Sequence, residues 1–433
     1  MSLATGSRAS LGYVVETTPG TPETGVAFTT FRRKSAAGLG LTKESYDSEE
    51  VRSDRMLADS RHGVRRASGD VETELSDVSY SAFWAALLGR SGWIDRSTVT
   101  TGAVSQIFAA APTNTITKTG TSYASLGFYV GDRINIIGGL NAGLTTIVGM
   151  STDGLTITVD RDLLAQTTSA EIVGHSSSVT TGSERVSFTM ERAYDDIDQF
   201  QVFYGLRVNS CAVSMPPTGL ATATWNFLGK DAWGLSATSA SSPFPYSAAE
   251  TTSVLAAANG VLYLTSGATI RKLAVATEMN FTIDNQLDGA PVVGRNTLAD
   301  VVWGNAQMVT GKLTVLFEDE LLYDIFLNES EAQLLVRMDG ADNAEYLTFL
   351  FPRCKFNTGS IGDAVATGLP VEMEFRALLP RAGTGVPQAQ VAIACSEGAL
   401  VAAPPPGLQL YASTAAVYAN NASLYASSLT YTP

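Results

Sequence analysis

The most organised polar chemistry in this sequence is a pair of carboxylates repeated on alternating strand positions. Glu72 and Glu74 alternate with Val71, Thr73 and Leu75, and Glu372 and Glu374 alternate with Val371, Met373 and Phe375. On a strand, that period puts both carboxylates of a pair on one face and the apolar residues on the other. Acid–base catalysis would need an enclosing pocket and a partner that raises one pKa. A solvated sheet face needs neither, and the pattern favours that reading. The other candidates are thinner. Only two histidines exist, His62 and His175, in charged or Ser-rich sequence without a recognisable metal or triad partner, so both are expected on the surface. Gly304 to Lys312 superficially has the look of a phosphate loop, but the spacing is too long and Leu313 stands where Ser or Thr would hold magnesium. Asp195-Asp-Ile-Asp198 and Asp284-Asn-Gln-Leu-Asp-Gly289 cluster oxygens that could take calcium, yet neither continues into an EF-hand loop, and a solvated turn is expected. Cys211, Cys354 and Cys395 are odd in number and widely spaced, which suits a reducing compartment and offers no disulfide framework. No enzyme activity, cofactor or metal is expected.

The chain that positions these groups has 433 residues, with 28 Lys plus Arg against 42 Asp plus Glu, a net charge of −14. Gripping duplex DNA means replacing counterions with cationic side chains, so an acidic chain with 16% charged residues is not an electrostatic DNA binder. Contact with DNA without adhesion remains open. At 45% hydrophobic the chain can bury a proper core, and its length suggests roughly two to four domains. No window approaches about 18 uninterrupted apolar residues, and Met1 to Tyr13 lacks the segments of a signal peptide. A soluble chain, not exported through Sec and not inserted in a membrane, is expected.

Thirty-nine glycines among abundant Ala, Ser, Thr and Val, with little helical periodicity, predict short strands and turns. Two stretches differ: Ser79 to Leu88 and Glu320 to Leu327 carry apolar residues at i, i+3 and i+4 spacing and predict one amphipathic helix each. Asp77, Asp319 and Glu320 sit where they favour a helix N-terminus. Each helix follows a strand, Gly69 to Leu75 and Gly311 to Phe317, and this pairing is the first sign of a duplication. Upstream, Gly12 to Val15, Phe31 to Lys34 and Leu39 to Glu44 answer to Gly260 to Tyr263, Ile270 to Leu273 and Met279 to Ile283. Downstream, Arg185 to Glu191, Leu206 to Met215 and Ala221 to Leu228 answer to Gln333 to Arg337, Tyr346 to Phe351 and Leu369 to Leu378. The expected division is a first domain over 1–229, a second over 230–380, and a small β-barrel inserted in the first over 107–175. Gly127 to Ile137, Thr145 to Val148 and Leu155 to Val159 are the barrel's strand candidates. Residues 381–433 read as an Ala/Pro-rich linker and C-terminal arm. There, Leu410-Tyr-Ala-Ser413, Val417-Tyr-Ala-Asn420 and Leu424-Tyr-Ala-Ser427 recur as either a helical stripe or an extended docking arm.

The segment Tyr46 to Arg66 intersperses Glu49, Glu50, Arg52, Asp54, Arg55, Asp59, Arg61, Arg65 and Arg66 among few apolar residues. Its mixed signs fit reciprocal salt-bridging with another chain or a solvated loop. Gly12-Tyr-Val-Val-Glu16 with Thr18-Pro-Gly-Thr-Pro22, Ser48-Glu-Glu-Val-Arg-Ser-Asp-Arg55 and Gly69-Asp-Val-Glu-Thr-Glu-Leu75 resemble tail tube proteins of long-tailed, siphovirus-type bacteriophages. Phe281-Thr-Ile-Asp-Asn285, Phe317-Glu-Asp-Glu320 and Phe351-Pro-Arg-Cys-Lys-Phe356 extend the resemblance into the second half. The resemblance implies two β-sandwich tube domains, each with one flanking helix, whose inner strands join a multi-chain barrel around a DNA channel. It gives the Tyr46 to Arg66 segment an inter-ring role and places the protein in the virion tail, assembled in the host cytoplasm. The implied partners are other copies of itself, a tape measure protein, and tail tip or terminator proteins, with double-stranded DNA passing without specific binding.

Barrel geometry then sets a stoichiometry. Strands about 4.8 Å apart and tilted roughly 40–45° give about 12 strands a backbone diameter near 26 Å, too narrow for a duplex; about 24 strands give roughly 50 Å and a bore of about 40 Å. With four strands per domain and two domains per chain, the expected ring is a trimer with pseudo-sixfold symmetry, a hexamer being the alternative. Glu72, Glu74, Glu372 and Glu374 are the expected lumen-facing carboxylates, on a wall that repels phosphate. The rival reading is a virion decoration or adhesion protein binding host-surface glycans.

Overall fold

Apolar side chains at every second position, broken by glycine and turn residues, leave this chain one economical way to bury its core: paired sheets. The computed structural model describes residues 5–34, 38–267, 269–341, 345–361, 368–381 and 385–396. The tyrosine repeats of the C-terminal arm lie outside the described residues. The chain runs through β1 (Ala9–Val15), β2 (Thr29–Thr30), β3 (Gly40–Asp47), β4 (Ser60–Glu74), helix α1 (Ser81–Leu87) and β5 (Ile94–Asp95). A closed barrel follows, made of β6 (Val104–Ala109), β7 (Thr115–Lys118), helix α2 (Tyr123–Leu126), β8 (Arg133–Ile137), β9 (Gly143–Met150), β10 (Thr156–Val159) and β11 (Gln166–Gly174). Next come β12 (Ser177–Thr180), β13 (Phe188–Tyr194), β14 (Gln199–Met215), β15 (Thr222–Gly229) and β16 (Asp231–Ala232). The second half has β17 (Gly260–Ser266), β18 (Thr269–Lys272), β19 (Ala276–Asp284), β20 (Leu287–Ala290), β21 (Asp300–Trp303), β22 (Met308–Leu316) and helix α3 (Leu321–Leu327). It ends with β23 (Ala332–Asp339), β24 (Tyr346–Phe356), β25 (Ser360–Ile361), β26 (Pro370–Ala377) and β27 (Ala392–Cys395). The fold is mainly β, of β-sandwich type.

One sheet runs through both halves. β3, β4, β15, β14, β19, β22 and β26 follow in unbroken antiparallel order, and the end of β24 with β25 pairs on the far side of β26. The halves meet edge to edge, Ser210 to Met215 of β14 lying against Asp284 to Met279 of β19. Behind this sheet each half has a second layer. In the first half it is the start of β14 with β13, β1 and β2; in the second it is β24 with β23, β17 and β18.

The two halves therefore share one pairing order. β3-β4-β15-β14-β13-β1-β2 corresponds strand by strand to β19-β22-β26-β24-β23-β17-β18. Both carry a register shift at the same point, between Phe188 and Met190 and between Ala332 and Leu334, opposite Phe203 and Phe351. Carried along the ladders, that register sets Gly69 against Gly311, beside Phe227 and Phe375 respectively. Both glycines are needed for close approach: a Cβ would fall 2.0 Å from the Gly38 carbonyl at Gly69 and 2.5 Å from the Phe375 ring at Gly311. The register corrects several correspondences. Leu206 matches Cys354, so Tyr346 to Phe351 answers to the start of β14 and not to Leu206 to Met215. Thr30 matches Lys272, so β2 answers to β18 three residues later than expected. Tyr13 and Leu264 both face the β13/β23 position, so β1 answers to β17 three residues later than expected. Gly40 opposite Ser68 matches Thr282 opposite Thr310, a shift of two that leaves the core face unchanged. An apolar run without polar markers fixes no register by itself.

Every residue of α1 is buried between the layers, where Phe83 and Trp84 meet Tyr13, Phe31, Phe188, Trp225 and Phe349. A seven-residue helix has little stability of its own. Burial of these rings, about 1.5–3 kcal/mol each, holds it in place. Asp77 does not serve its N-terminus as expected. It turns into the core and accepts hydrogen bonds from the backbone and hydroxyl of Ser396; burial pushes its carboxyl up to about 6. The inserted barrel has its own core, Phe108, Phe128, Ile134, Ile147 and Ile172 among it, and packs on Leu335 and Leu350 of the second half. Arg337 reaches Asp160 of the barrel and Asp339 of its own strand, and Arg133 meets Asp339 at 3.1 Å.

Candidate lumen wall and assembly surfaces

Because strand register is fixed, residues directly opposite one another share a face. Glu74, Thr222, Ser214, Asn280, Lys312 and Glu374 form one row across six strands, and Glu72, Thr224, Ala212, Thr282, Thr310 and Arg376 form the next. The opposite face of the same strands carries Val71, Trp225, Phe227, Val213, Phe281, Leu313 and Met373, all buried. The four glutamates thus point away from the core. They stand at opposite sides of one polar sheet face, Glu72 and Glu74 on β4 and Glu372 and Glu374 on β26. The face is concave, with a trough of about 570 Å³ lined by Ser214, Thr224, Thr282, Lys312 and Glu374 among others.

Sequence reading missed part of this surface. Asp70, Glu278 and Asp284 lie on the same face, hydrogen-bonded to Asn226, Asn280 and the Gln286 backbone. Asp284 read as a turn residue because its neighbours are polar, yet it ends β19 opposite Ser210. Cations also belong here, among them Lys312, Arg376 and, opposite Arg376, Lys355. Lys312 meets Glu372 at 2.9 Å, and Lys34 meets Glu72 at 3.0 Å. Such solvated pairs contribute roughly 0–1 kcal/mol and leave the face with more carboxylates than cations.

The charged segment is a hairpin. Tyr46 and Asp47 end β3, residues 48–59 form the tip, and Ser60 to Arg66 begin β4. Glu49, Glu50, Arg52, Asp54, Arg55, Asp59, Arg61 and Arg66 are exposed, along with Val51 (102%), Met56 (65%) and Leu57 (61%). Arg52 pairs with Asp54 within the tip. Arg65 differs: it reaches back to the buried Asp231 at 2.7 Å.

The corresponding connection in the second half is β20 and β21, a hairpin that folds down on the first half. Arg207 donates to the Val301 carbonyl at 2.7 Å and stacks 4.5 Å from the Trp303 ring centre. Asn209 accepts from the Leu287 backbone, and Arg185 pairs with Asp300. Burial, reinforced by Arg185, pulls the Arg207 guanidinium down to about 10.

The Gly12 to Pro22 motif also has a physical role. Glu16 is buried and accepts from the Gly20 and Gly205 backbones at 2.6 Å and from Thr189 at 3.0 Å, tying the Thr18 to Pro22 turn to β13 and β14. Burial raises its carboxyl above the ordinary range against the pull of those bonds. Of the remaining candidates, His62 is exposed on β4 and His175 lies between β11 and β12. Among the described residues, no group of three or more His, Cys, Asp or Glu could hold a metal, and no helix is long and apolar enough to cross a membrane.

A two-layer β unit used twice, one continuous polar face and a projecting hairpin agree with one comparison. The family model for phage tail tube protein matches residues 6–377. The chain belongs to the phage tail tube protein family. No curated protein matches it closely. As a tail tube protein it is a structural component of the virion tail that assembles with copies of itself into a tube. The match spans both halves and the inserted barrel and ends at Ala377, the last residue of β26.

Proposed function

We propose that three copies of the chain close a ring in which the shared sheet forms the inner wall, and that stacked rings make the conduit through which the genome leaves a siphovirus-type particle. The supporting observation is the continuous sheet itself: eight strand positions per chain, polar on one concave face and apolar on the other. Three such sheets supply about 24 strands and a bore of about 40 Å. Six copies would double the strand number and the diameter, far beyond what a duplex requires.

In this reading the domains span 1–229 and 230–380, with 107–175 inserted on the outside, and 381–433 serves as a linker and arm. Glu72, Glu74, Glu372 and Glu374 face the bore with Asp70, Glu278 and Asp284. Their charge repels phosphate, so passing DNA finds no site at which to stall. The exposed hairpin tip, with Glu49, Glu50, Arg52, Asp54, Arg55 and Asp59, contacts the adjacent ring, while Arg65 braces its base. A tape measure protein and tip or terminator proteins set the tube's length and ends, and assembly takes place in the host cytoplasm. A glycan-binding adhesin is the weaker reading, since the family match supports the tube.

Replacing Glu72, Glu74, Glu372 and Glu374 together by Lys tests the wall. Polymers are expected to form and to retain duplex DNA in a salt-dependent way, while the wild-type polymer retains none. Equal retention by both would overturn the lumen assignment.

A further inference from the structure

Resting on that ring reading, we propose that the contact between neighbouring copies repeats the junction already present inside the chain. The outer edge of β3 in one copy lies antiparallel along residues 357–361 of the next, with Thr42 opposite Thr358.

The internal junction supplies the template. There Ser210, Cys211, Ala212 and Val213 of β14 face Asp284, Ile283, Thr282 and Phe281 of β19, and the Asn285 backbone donates to the Asn209 carbonyl. The two strands that play those parts in the repeat pattern are β24–β25 and β3. Ser360 and Ile361 oppose Glu372 and Val371 as Ala212 and Val213 oppose Thr224 and Ala223. Gly40 opposes Ser68 as Thr282 opposes Thr310. Among the described residues β3 pairs only with β4, and β25 only with β26, so each presents an open backbone edge there. Carrying the internal register across gives Gly40 with Ser360, Leu41 with Gly359, Thr42 with Thr358 and Lys43 with Asn357.

The helices give an independent sign. Leu87, the last residue of α1, is 0% exposed, and its carbonyl accepts from the Asn285 side chain at 2.7 Å. Leu327, the last residue of α3, is 61% exposed. The counterpart of Asn285 is Lys43 on β3, exposed and cationic, which suits the carbonyl end of a neighbour's helix. Where Trp84 meets Phe349 inside the chain at 5.3 Å, the counterparts are Asp324 and Gln201. Gln201 lies opposite Arg192 in the ladder and is itself polar, as is Asp324. A junction that never opens is aromatic; one that must stay soluble before assembly is polar.

Thr42→Cys combined with Thr358→Cys in the full chain tests the register, since opposed residues lie about 4.5–5.5 Å apart between Cα atoms, within disulfide reach. The three native cysteines are buried. After assembly and oxidation with oxidised glutathione, most chains are expected to run as covalent dimers and trimers on a non-reducing gel, and each single variant as monomer. Should this pair impair folding, Lys43→Cys with Asn357→Cys reads the same register. Hollow polymers that resist cross-linking at both pairs, or that cross-link instead through Glu44→Cys with Thr358→Cys, overturn the register and leave the tube reading intact. Wild-type protein that never polymerises overturns the tube reading itself.

Discussion

The hairpin between β3 and β4 and the hairpin between β19 and β22 occupy the same place in the two repeats and meet opposite fates. The first keeps its tip in solvent, with Val51, Met56 and Leu57 exposed among charges. The second is held against the first half by Arg207, Asn209 and Arg185, and buries Leu298 and Val301. One fold position can therefore stand in solvent or hold the two halves together, according to whether its side chains find partners in their own chain.

Removing the difference should have the largest effect. Replacing residues 48–59 by a two-residue Asn-Gly turn is expected to abolish polymers in negative-stain images and leave the melting temperature of the monomer within about 2 °C, because exposed residues contribute little to folding. Polymers of normal length from this variant would deny the hairpin its inter-ring role. Loosening the other hairpin acts on stability. Arg207→Ala removes a charged hydrogen bond and the stack on Trp303, and chemical denaturation should show a loss of about 3 kcal/mol. Hydrogen exchange should locate the new mobility in residues 287–303, with the β3–β4 tip unchanged.

A smaller effect comes from the barrel, which only the first repeat carries. Burial, countered in part by Arg96, pushes the Asp132 carboxyl up to about 6. An unfolded carboxyl ionises near 3.9, so between those values the folded chain keeps a proton that the unfolded chain has lost. The stability from this group is present in full below about pH 4 and lost as pH rises through about 6. Asp132→Asn keeps an oxygen for the Tyr129 backbone and should remove that pH dependence, a difference on the order of 2 kcal/mol at pH 7. Thermal melts of both proteins from pH 4 to 8 check it, and parallel curves would contradict it.

Much of this fold was legible because period-two alternation marks faces even where it does not mark register. Glu72 and Glu74 beside Val71 and Leu75 announced which side of β4 is wet, and the apolar spacing of both helices located α1 and α3. The seam between β14 and β19 was not legible, since a strand edge pairs through backbone groups that no side chain reports. The same holds for the anchoring of β20 and β21, which rests on Arg207 from a distant strand. Nothing in the sequence marks Glu16 as buried, because the backbone of Gly205 that holds it lies 189 residues away. Asp77 misled because a carboxylate before a helix usually faces the solvent, whereas here the whole helix lies inside the core.

Helical reconstruction of the purified polymer by electron cryomicroscopy tests most directly whether the shared sheet encircles an open axis. The expected map has three chains per ring, about 24 inner strands and a bore of about 40 Å lined by Glu72, Glu74, Glu372 and Glu374. A map with the concave polar face turned outward, or a bore narrower than the roughly 20 Å of a duplex, would contradict the account.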